Sequence, residues 1–333
     1  MSKKIPARKE AFREEKDSFQ LESQAKIPVW FDCDTGVDDA HALLLLHQLS
    51  CFDLVGVSTV AGNVTLDMTT PNTLAVLELA GSQAPVYEGA ARPLIRDQIT
   101  APEVHGKNGL GGVVLPPARK QIQELTAWDG LYQAALRHKG ELVLIAVGPL
   151  TNIGLALTKY KDLASLIKRV VIMGGAASGG NTSPAAEFNI LVDPEAADMV
   201  FNSGLCVEMC GLDMTLKAYL TQEELEDLAA LGSPQSVFAR DCAQSALAYS
   251  LSLGHPGLAL HDPAALLYAA DPSIYLAYPA WVRVETKASI SYGKTVTDLY
   301  SDKKEKDRHH KVIIDLDREA FKARYFDLMR RYG

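Results

Sequence analysis

The stretch IPVWFDCDTGVDDAHALLLLHQL, residues 27–49, decides the fold class. Residues 27–31 form a short apolar run that stops at Asp32, which is typical of a strand buried on both faces. After a polar turn, residues 38–49 are mostly apolar, as in a largely buried helix. An apolar strand that leads into a buried helix indicates an α/β protein.

The same alternation continues along the chain. Further strands are predicted at residues 53–60, 141–147, 169–173 and 206–209. Further helices are predicted at residues 72–79, 193–202 and 235–253, and one more follows the motif at 148–152 and ends at Leu157. Together they predict an α/β fold with an open, mostly parallel, Rossmann-like sheet flanked by helices. A smaller C-terminal part is expected to hold antiparallel or edge strands at 281–287, 288–292 and 311–315 and a final helix at 318–332.

The chain is predicted to have one domain and one extension. Residues 27–333 contain no long linker and no internal repeat, so we expect a single domain there. Residues 1–26 hold seven basic and five acidic residues with few large apolar ones. This composition predicts a charged N-terminal extension that the core does not need.

Composition excludes several classes of function. The 333 residues carry 33 Lys and Arg against 41 Asp and Glu, a formal charge of −8, so no nucleic-acid partner is expected. No apolar run approaches the roughly 20 residues of a membrane span, and the N-terminus lacks the apolar stretch of a secretory signal. Five scattered cysteines without a paired motif fit a reducing cytoplasm.

Four carboxylates follow the first strand within eight residues: Asp32, Asp34, Asp38 and Asp39. So many negative charges at one strand-to-helix turn would repel one another strongly without a cation. A position at a helix N-terminus explains one or two of them, but not all four. The oxygen-rich cluster therefore indicates a hard cation, calcium or magnesium rather than zinc, although the spacing does not match an EF-hand loop.

Other polar residues also lie beside apolar elements. Asn63 follows the second strand, a Gly-rich loop after residue 173 leads to Asn181 and Glu187, and His261-Asp262 precede an apolar helix. Ligands of open α/β sheets gather at the carboxyl ends of the strands, so these side chains can converge at one edge. Taken singly, each has an ordinary structural explanation, such as a helix cap at Asp262 before a proline.

In this order the motifs resemble those of the inosine–uridine preferring nucleoside hydrolase family. The carriers are Asp32-x-Asp34-x-Gly36-x-Asp38-Asp39, Ala61-Gly62-Asn63, His105-Gly106-x-x-Gly109-Leu110, Gly148-Pro149-Leu150-Thr151-Asn152, Met173-Gly174-Gly175, Glu187-Phe188-Asn189 and His261-Asp262-Pro263. One departure is Thr35, where the family usually has proline. Threonine holds the turn less rigidly but removes no ligand.

The resemblance implies hydrolysis of the N-glycosidic bond of a ribonucleoside to a free nucleobase and ribose, with bound Ca²⁺. It implies that Asp34, Asp39, Asp262 and the backbone carbonyl of Val147 hold the ion, and that Asp34 takes a proton from the attacking water. His261 is the candidate acid for the leaving base. Asp32 is expected to orient the loop without binding the ion. The resemblance further suggests a homodimer or homotetramer.

The resemblance also distributes the contacts to the substrate. The ribose contacts implied are Asp38 with the 2′-hydroxyl, Asn189 with the 3′-hydroxyl, Asn181 and Glu187 with the 5′-hydroxyl, Met173 with the sugar face, and Asn63 with water and ribose. The nucleobase pocket is assigned to His105, Tyr249 and His261, although Tyr249 is equally well explained as an aromatic packed on its helix. His309 and His310 are assigned to a charged surface loop at residues 301–311.

Two other functions fit part of the pattern. A haloacid-dehalogenase-type phosphatase would use Asp32 as nucleophile and Asp34 beside Mg²⁺, but it gives no role to Asp38 and Asp39. A non-catalytic, Ca²⁺-dependent nucleoside- or sugar-binding protein would keep the same site without turnover. The preference for purine or pyrimidine nucleosides is left open, because it depends on loops whose conformation the sequence does not define.

Overall fold

A computed structural model describes residues 26–299 and 309–333 of the chain. The predicted extension, residues 1–26, lies outside the described residues except for Lys26, and so does most of the predicted surface loop at 301–311. Within the described ranges, no helix is both long enough and apolar enough to cross a membrane.

Eleven strands occur in the described residues. In chain order they are β1 (Ile27–Cys33), β2 (Phe52–Thr59), β3 (Val86–Glu88), β4 (Leu142–Ala146), β5 (Ile167–Met173), β6 (Val207–Cys210), β7 (Tyr219–Leu220), β8 (Leu258–Ala259), β9 (Tyr275–Val284), β10 (Thr295–Asp298) and β11 (His310–Leu316). All strands expected before residue 210 are confirmed, with bounds that differ by one to a few residues.

Thirteen α-helices separate these strands in the same described ranges. They are α1 (Val37–Gln48), α2 (Leu66–Ala80), α3 (Pro102–His105), α4 (Ala127–Arg137), α5 (Thr151–Lys159), α6 (Leu163–Leu166), α7 (Phe188–Val192), α8 (Pro194–Asn202), α9 (Leu212–Thr215), α10 (Gln222–Ala229), α11 (Pro234–Ser252), α12 (His261–Ala270) and α13 (Arg318–Arg330). Helix α2 starts six residues before its predicted first residue, because Thr65 begins it and Pro71 lies inside it.

Nine strands form one sheet in the order β10-β9-β11-β6-β5-β4-β1-β2-β3. Every pairing from β3 to β11 is parallel, whereas β9 pairs antiparallel with both β11 and β10. The predicted fold, an open and mostly parallel sheet with antiparallel strands near the C-terminus, is therefore confirmed. The chain moves outward from β1 through β2 to β3 and then returns to β4 on the other side of β1. This reversal opens a crevice between β1 and β4, where open α/β sheets bind their ligands.

The sheet is buried on both faces, which explains its apolar strands. Along β1, Val29, Phe31 and Cys33 pack into one apolar core with α1, α11 and α12, while Trp30 packs into a second core with α4, α5 and α8. Side chains of a strand alternate between the two faces, so both sets must be apolar when helices cover both.

Two C-terminal expectations are wrong. Residues 288–292 form a turn rather than a strand, because the Glu285 carboxylate accepts the backbone N–H groups of Lys287 and Ala288 and Gly293 turns the chain at φ +79°. His310 is not in a surface loop: it opens β11 and is buried, with its ring between the N–H of Val207 and the carbonyl of Phe201.

Candidate active site

The carboxyl ends of β1, β2, β4 and β5 deliver most of the predicted site residues to one edge of the sheet. Asp34 follows β1, Asn63 follows β2, Val147 follows β4, and Met173 ends β5. Residues 33–37 turn directly from β1 into α1, so Asp38 and Asp39 lie in the first turn of that helix. This edge includes the crevice between β1 and β4.

Asp34 is fully buried and held by backbone groups. Its Oδ2 accepts the N–H of Asn63 at 2.7 Å, while its Oδ1 has no hydrogen-bond partner among the described residues. Gly62 and Gly148 pack against this carboxylate so closely that a Cβ at either position would collide with it. A buried carboxylate oxygen without a partner is costly, so Oδ1 needs a ligand that the protein itself does not supply.

Asp39 organises the turn. Its Oδ1 accepts the N–H of Asp34 at 3.0 Å, and its Oδ2 accepts the N–H of Gly36 at 2.9 Å and the side-chain amide of Asn63 at 3.0 Å. These bonds fix the backbone between the end of β1 and the start of α1. The same carboxylate therefore both shapes the turn and presents negative charge beside Asp34.

Three carboxylates come close enough to share a metal ion. One oxygen from each of Asp38, Asp39 and Asp262 lies within 4.8 Å of the other two. Burial, followed by repulsion from Asp39, raises the pKa of Asp38 to about 7 and raises that of Asp34. Burial and then repulsion from Asp38, Asp39 and Asp34 raise the pKa of Asp262 well above its usual value. A divalent cation would relieve this repulsion.

The donor set fits a hard cation. All the candidate ligands are oxygens, and the Val147 carbonyl accepts one bond from the Asn189 side-chain amide at 2.8 Å, which leaves a second lone pair. Asp34 lies outside the group of three but adjoins it, since Asp39 contacts the Asp34 backbone. The structure thus groups two of the four predicted ligands, Asp39 and Asp262, with Asp38, and it places Asp34 and Val147 at the same edge of the sheet.

Asp32 lies one step behind this cluster. Its Oδ1 accepts the hydroxyl of Ser58 and the side-chain amide of Asn152, the latter at 2.7 Å, and its Oδ2 has no partner in the described part of the chain. Burial raises the pKa of Asp32 to about 7. The Asn152 side chain also donates to the Thr59 carbonyl at 3.0 Å. Through its bonds to Ser58 and Asn152, Asp32 therefore links the end of β2 to the start of α5.

A cavity of about 470 Å³ opens at this edge of the sheet. Eleven of the predicted site residues line it, and the other three, Asp32, Asp34 and Asp39, are buried and do not line it. The lining residues are Asp38, Asn63, His105, Val147, Met173, Asn181, Glu187, Asn189, Tyr249, His261 and Asp262. The volume is in the range of small-molecule sites.

Glu187 and Asn189 form one polar wall. Glu187 caps α7 by accepting the N–H groups of Asn189 and Ile190, and its other contact is the N–H of Gly175 at 2.9 Å. Burial raises the pKa of Glu187 to about 6. The Asn189 side-chain amide donates to the carbonyls of Val147 and Met173, which joins α7 to the ends of β4 and β5.

Two histidines, His105 and His261, also line the pocket. The backbone N–H of Val37 donates to His105 Nδ1 at 3.1 Å, so a neutral His105 ring carries its proton on Nε2. Burial, followed by the nearby charge of His261, lowers the pKa of His105 to about 3. His261 Nδ1 lies 2.8 Å from the Thr215 hydroxyl, and burial lowers the pKa of His261 to about 4. Both rings are neutral hydrogen-bonding groups at neutral pH.

Some pocket features were not predicted from the sequence. Thr215 belongs to no motif, and its contact with His261 spans 46 residues, so no sequence signal marks it. Apolar side chains complete the pocket at Ile99, Val104, Leu216 and Leu253. Tyr249 lines the pocket from α11 with 37% of its surface exposed, so it is not the packed aromatic of the alternative explanation.

Thr35, the departure from the family pattern, anchors the turn. Its hydroxyl lies 2.6 Å from the Thr73 hydroxyl, and Thr73 in turn donates to the Thr69 carbonyl within α2. The Asn72 side-chain amide reaches the Thr35 carbonyl at 3.3 Å. A side-chain bond to α2 therefore holds the turn where proline would restrict the backbone.

An acidic pocket at the switch point of a doubly covered parallel sheet defines a Rossmann-like α/β enzyme with a metal-ligating donor set. The chain belongs to the inosine–uridine preferring nucleoside hydrolase family, whose sequence profile matches residues 29–323. The predicted family is confirmed. The chain is accordingly a hydrolase that acts on N-glycosyl bonds of ribonucleosides.

Individual relatives agree with this assignment. The chain is 40% identical over 297 residues to the pyrimidine-specific ribonucleoside hydrolase RihA of Shewanella woodyi, covering 88% of this chain and 95% of that protein. It is 42% identical over 299 residues to RihA of Citrobacter koseri, with coverage of 89% and 95%.

Solved structures show the same architecture. The plant nucleoside hydrolase PpNRh1 superposes with a TM-score of 0.86 at 31% identity, covering 92% of this chain and 99% of that one. The purine-preferring ribonucleoside hydrolase of Gardnerella vaginalis gives 0.87 at 29% identity, with coverage of 92% and 98%. These comparisons support the nucleoside hydrolase over the phosphatase and the non-catalytic binding protein.

Proposed function

We propose that this chain hydrolyses pyrimidine ribonucleosides to a free base and ribose in a reaction that depends on Ca²⁺. The observation that carries the proposal is Asp34, a fully buried carboxylate with a partnerless oxygen beside a pocket lined by two more aspartates. A buried acid cluster of this kind is expected where a cation and a reacting water are handled.

Asp34, Asp39, Asp262 and the Val147 carbonyl would hold the calcium ion. They fit because all are oxygen donors, because burial raises the pKa of each of the three carboxyl groups, and because repulsion from neighbouring carboxylates raises those of Asp34 and Asp262 further. Bound there, calcium supplies positive charge that keeps these groups ionised and makes a nearby water more acidic. Asp32, held by Ser58 and Asn152, would keep the turn in place behind the ligands.

Asp34 would act as the general base. It takes a proton from the attacking water, whose oxygen bonds to C1′ of the ribose as the bond from C1′ to the base nitrogen breaks. The electrons of that bond leave with the base. Positive charge that develops on the ribose is stabilised by the surrounding carboxylates.

The ribose would lie along the polar wall. Asp38 is placed to accept from the 2′-hydroxyl and Asn189 to contact the 3′-hydroxyl, while Asn181 and Glu187 meet the 5′-hydroxyl. Met173 packs on the sugar face, and Asn63, already bonded to both Asp34 and Asp39, positions water and ribose. Each of these side chains lines the pocket, which supports the assignment.

The base would leave against His105, Tyr249 and His261. With Thr215 at Nδ1 of His261, its Nε2 is left for the base. A neutral His261 would donate only a hydrogen bond from Nε2, so the proton that the departing base needs would come from the imidazolium form of this ring. His105 offers a fixed Nε2–H donor, which suits an acceptor beside the glycosidic nitrogen. Pyrimidines and purines both have such an acceptor, so this donor alone does not distinguish them.

The pyrimidine preference is argued from the relatives. The proteins at 40% and 42% identity are named pyrimidine-specific, whereas the structural neighbour at 29% identity is named purine-preferring. Substrate specificity is usually retained more readily between proteins at 40% or 42% identity than between proteins at 29% identity. Uridine and cytidine are therefore the first substrates to test.

We also propose where the chain acts and how it assembles. All five cysteines lie in the described residues and none forms a disulfide, which supports a cytoplasmic site of action. A homodimer or homotetramer is proposed from the family resemblance, and light scattering of the purified chain would test it. We also propose that residues 27–333 form one catalytic domain, so a chain that starts at residue 27 should retain full turnover.

A substrate panel tests the function. Base release from uridine, cytidine, inosine and adenosine should be measured with CaCl₂ and with excess chelator, and p-nitrophenyl phosphate serves as the phosphatase control. We expect release from uridine and cytidine to be fastest and to require calcium. Phosphate release without base release, or binding of nucleosides without any turnover, would overturn the proposal.

A further inference from the structure

The loop between β5 and Asn181 has few side chains that could stabilise its conformation. Residues 174–180 read GGAASGG, so this loop contains only glycine, alanine and serine. Glycine-rich backbone loses much conformational entropy when it is fixed, and small side chains give little packing in return. The loop nevertheless connects Met173 to Asn181, and anchors from other elements must keep it in place.

Lys294 is the main anchor. It lies just before β10, and its Nζ donates to the carbonyls of Ala176 at 2.9 Å, Gly179 at 3.2 Å and Ala177 at 3.3 Å. An ammonium group has three donors, so this side chain gives all of its hydrogen bonds to one loop. A charged donor to carbonyls makes stronger bonds than a neutral one.

Two neighbours complete the clamp around the loop. The Thr295 hydroxyl accepts the N–H of Ala176 at 2.9 Å and donates to the carbonyl of the same residue at 2.8 Å. On the other side, the Asp213 carboxylate accepts the N–H groups of Ala177 and Ser178 at 2.7 and 3.1 Å. The backbone of the loop is therefore held by β10 and α9 rather than by its own side chains.

The clamped loop is joined to both side chains proposed for the 5′-hydroxyl. The Gly175 N–H donates to Glu187 Oε2 at 2.9 Å. At the far end of the loop, Asn181 accepts the N–H of Phe188 at 2.9 Å through its Oδ1. A shift of the loop would move Glu187 and Asn181 together, while the Asp34 and Asp39 turn, built on β1 and α1, would stay where it is.

We propose that Lys294 is a positioning residue for the 5′-hydroxymethyl half of the ribose, acting through the backbone of residues 176–179. This inference rests on the proposed function, because it takes Asn181 and Glu187 as the 5′-hydroxyl contacts. It assigns substrate affinity, and not the bond-breaking step, to a lysine outside the pocket.

The test compares uridine with 5′-deoxyuridine, which lacks only the group that the clamped loop is proposed to recognise. In Lys294→Met, which keeps the side-chain length without the charge, KM for uridine should rise about tenfold with a smaller change in kcat. The KM for 5′-deoxyuridine should change less than about twofold, because no 5′ contact remains to be lost. Lys287→Met, an exposed lysine in the same hairpin, is the matched control and should leave both substrates unchanged.

The possible outcomes distinguish a failure of the role proposed for Lys294 from a failure of the proposed function. Equal losses with both substrates would show a general structural role and overturn the positioning role of Lys294. Uracil release by the unmodified enzyme with no discrimination between uridine and 5′-deoxyuridine would also overturn it, while leaving the hydrolase intact. No base release from either substrate would mean that the proposed function itself is wrong.

A second variant covers the case in which Lys294→Met does not fold. Thr295→Val keeps the side-chain shape and removes only the hydroxyl that holds Ala176. It should give the same pattern, a raised KM for uridine and little change for 5′-deoxyuridine. Thermal unfolding of each variant shows whether the kinetics come from folded protein.

Discussion

Replacing Asp38 by asparagine should stabilise the protein when calcium is absent and weaken its response to calcium. Burial, followed by repulsion from Asp39, raises the pKa of Asp38 from 3.8 to about 7. A carboxyl group with a raised pKa in the folded state contributes stability that is fully present below its unfolded pKa and is lost as pH rises through the folded value. The metal-free protein should therefore lose stability between about pH 4 and pH 8 through this group.

The shift gives the expected size of the effect. About three pKa units at 1.36 kcal/mol each correspond to at most about 4 kcal/mol. Asparagine has nearly the same shape and carries no charge, so Asp38→Asn should recover part of that free energy above about pH 7. In saturating calcium the ion already offsets the charge, and the gain should fall below about 1 kcal/mol.

Urea unfolding followed by tryptophan fluorescence would measure this difference, since Trp30 is buried in the core. Each variant is unfolded at about pH 8 with excess chelator and with CaCl₂. Asp193→Asn is the matched control: its carboxylate is also buried but bonds Thr151, Leu94 and Ala196, so its effect should be the same in both buffers. A loss of stability in Asp38→Asn under chelator, or an equal gain in both buffers, would show that the buried charge of Asp38 does not destabilise the metal-free protein.

Two further substitutions test features outside the carboxylates. Thr35→Val removes the bond to Thr73 and should lower both the calcium affinity, measured by calorimetry, and the free energy of unfolding by about 1 kcal/mol. Thr35→Ser should restore both. An unchanged calcium affinity in Thr35→Val would contradict the anchoring role. Burial lowers the pKa of His310 from 6.5 to about 4. As the pH falls, the unfolded chain therefore takes up a proton before the folded protein does. The free energy of unfolding should fall between about pH 6.5 and pH 4, by at most about 3 kcal/mol. His310→Phe should flatten this pH dependence in chemical denaturation, and an unchanged slope would count against it.

Much of the site could be predicted because parallel strands deliver their ends to one edge. Asp34, Asn63 and Val147 each follow a strand that the apolar pattern identifies, so their convergence follows from the fold class alone. The sequence does not say which carboxylate oxygens face one another. The resemblance assigned Asp38 to the ribose rather than to the ion, and the structure groups it with Asp39 and Asp262.

Contacts made by residues distant along the chain were the part that the sequence could not provide. Lys294 reaches Ala176 across 118 residues, and neither belongs to a motif. Local patterns also misled at two places. The helix predicted at residues 72–79 starts earlier because Pro71 is accommodated inside α2, and residues 288–292 alternate like a strand although Glu285 and Gly293 close them into a turn.

Asp34 is proposed to take the proton from the water that attacks the ribose. The most direct test is the rate of uracil formation from uridine by calcium-loaded Asp34→Asn, with calcium and uridine binding measured on the same protein. We expect a loss of about 10³-fold or more in kcat while uridine still binds, because general bases contribute up to about 10⁴-fold. A rate within about tenfold of the unmodified enzyme, with calcium bound, would contradict it.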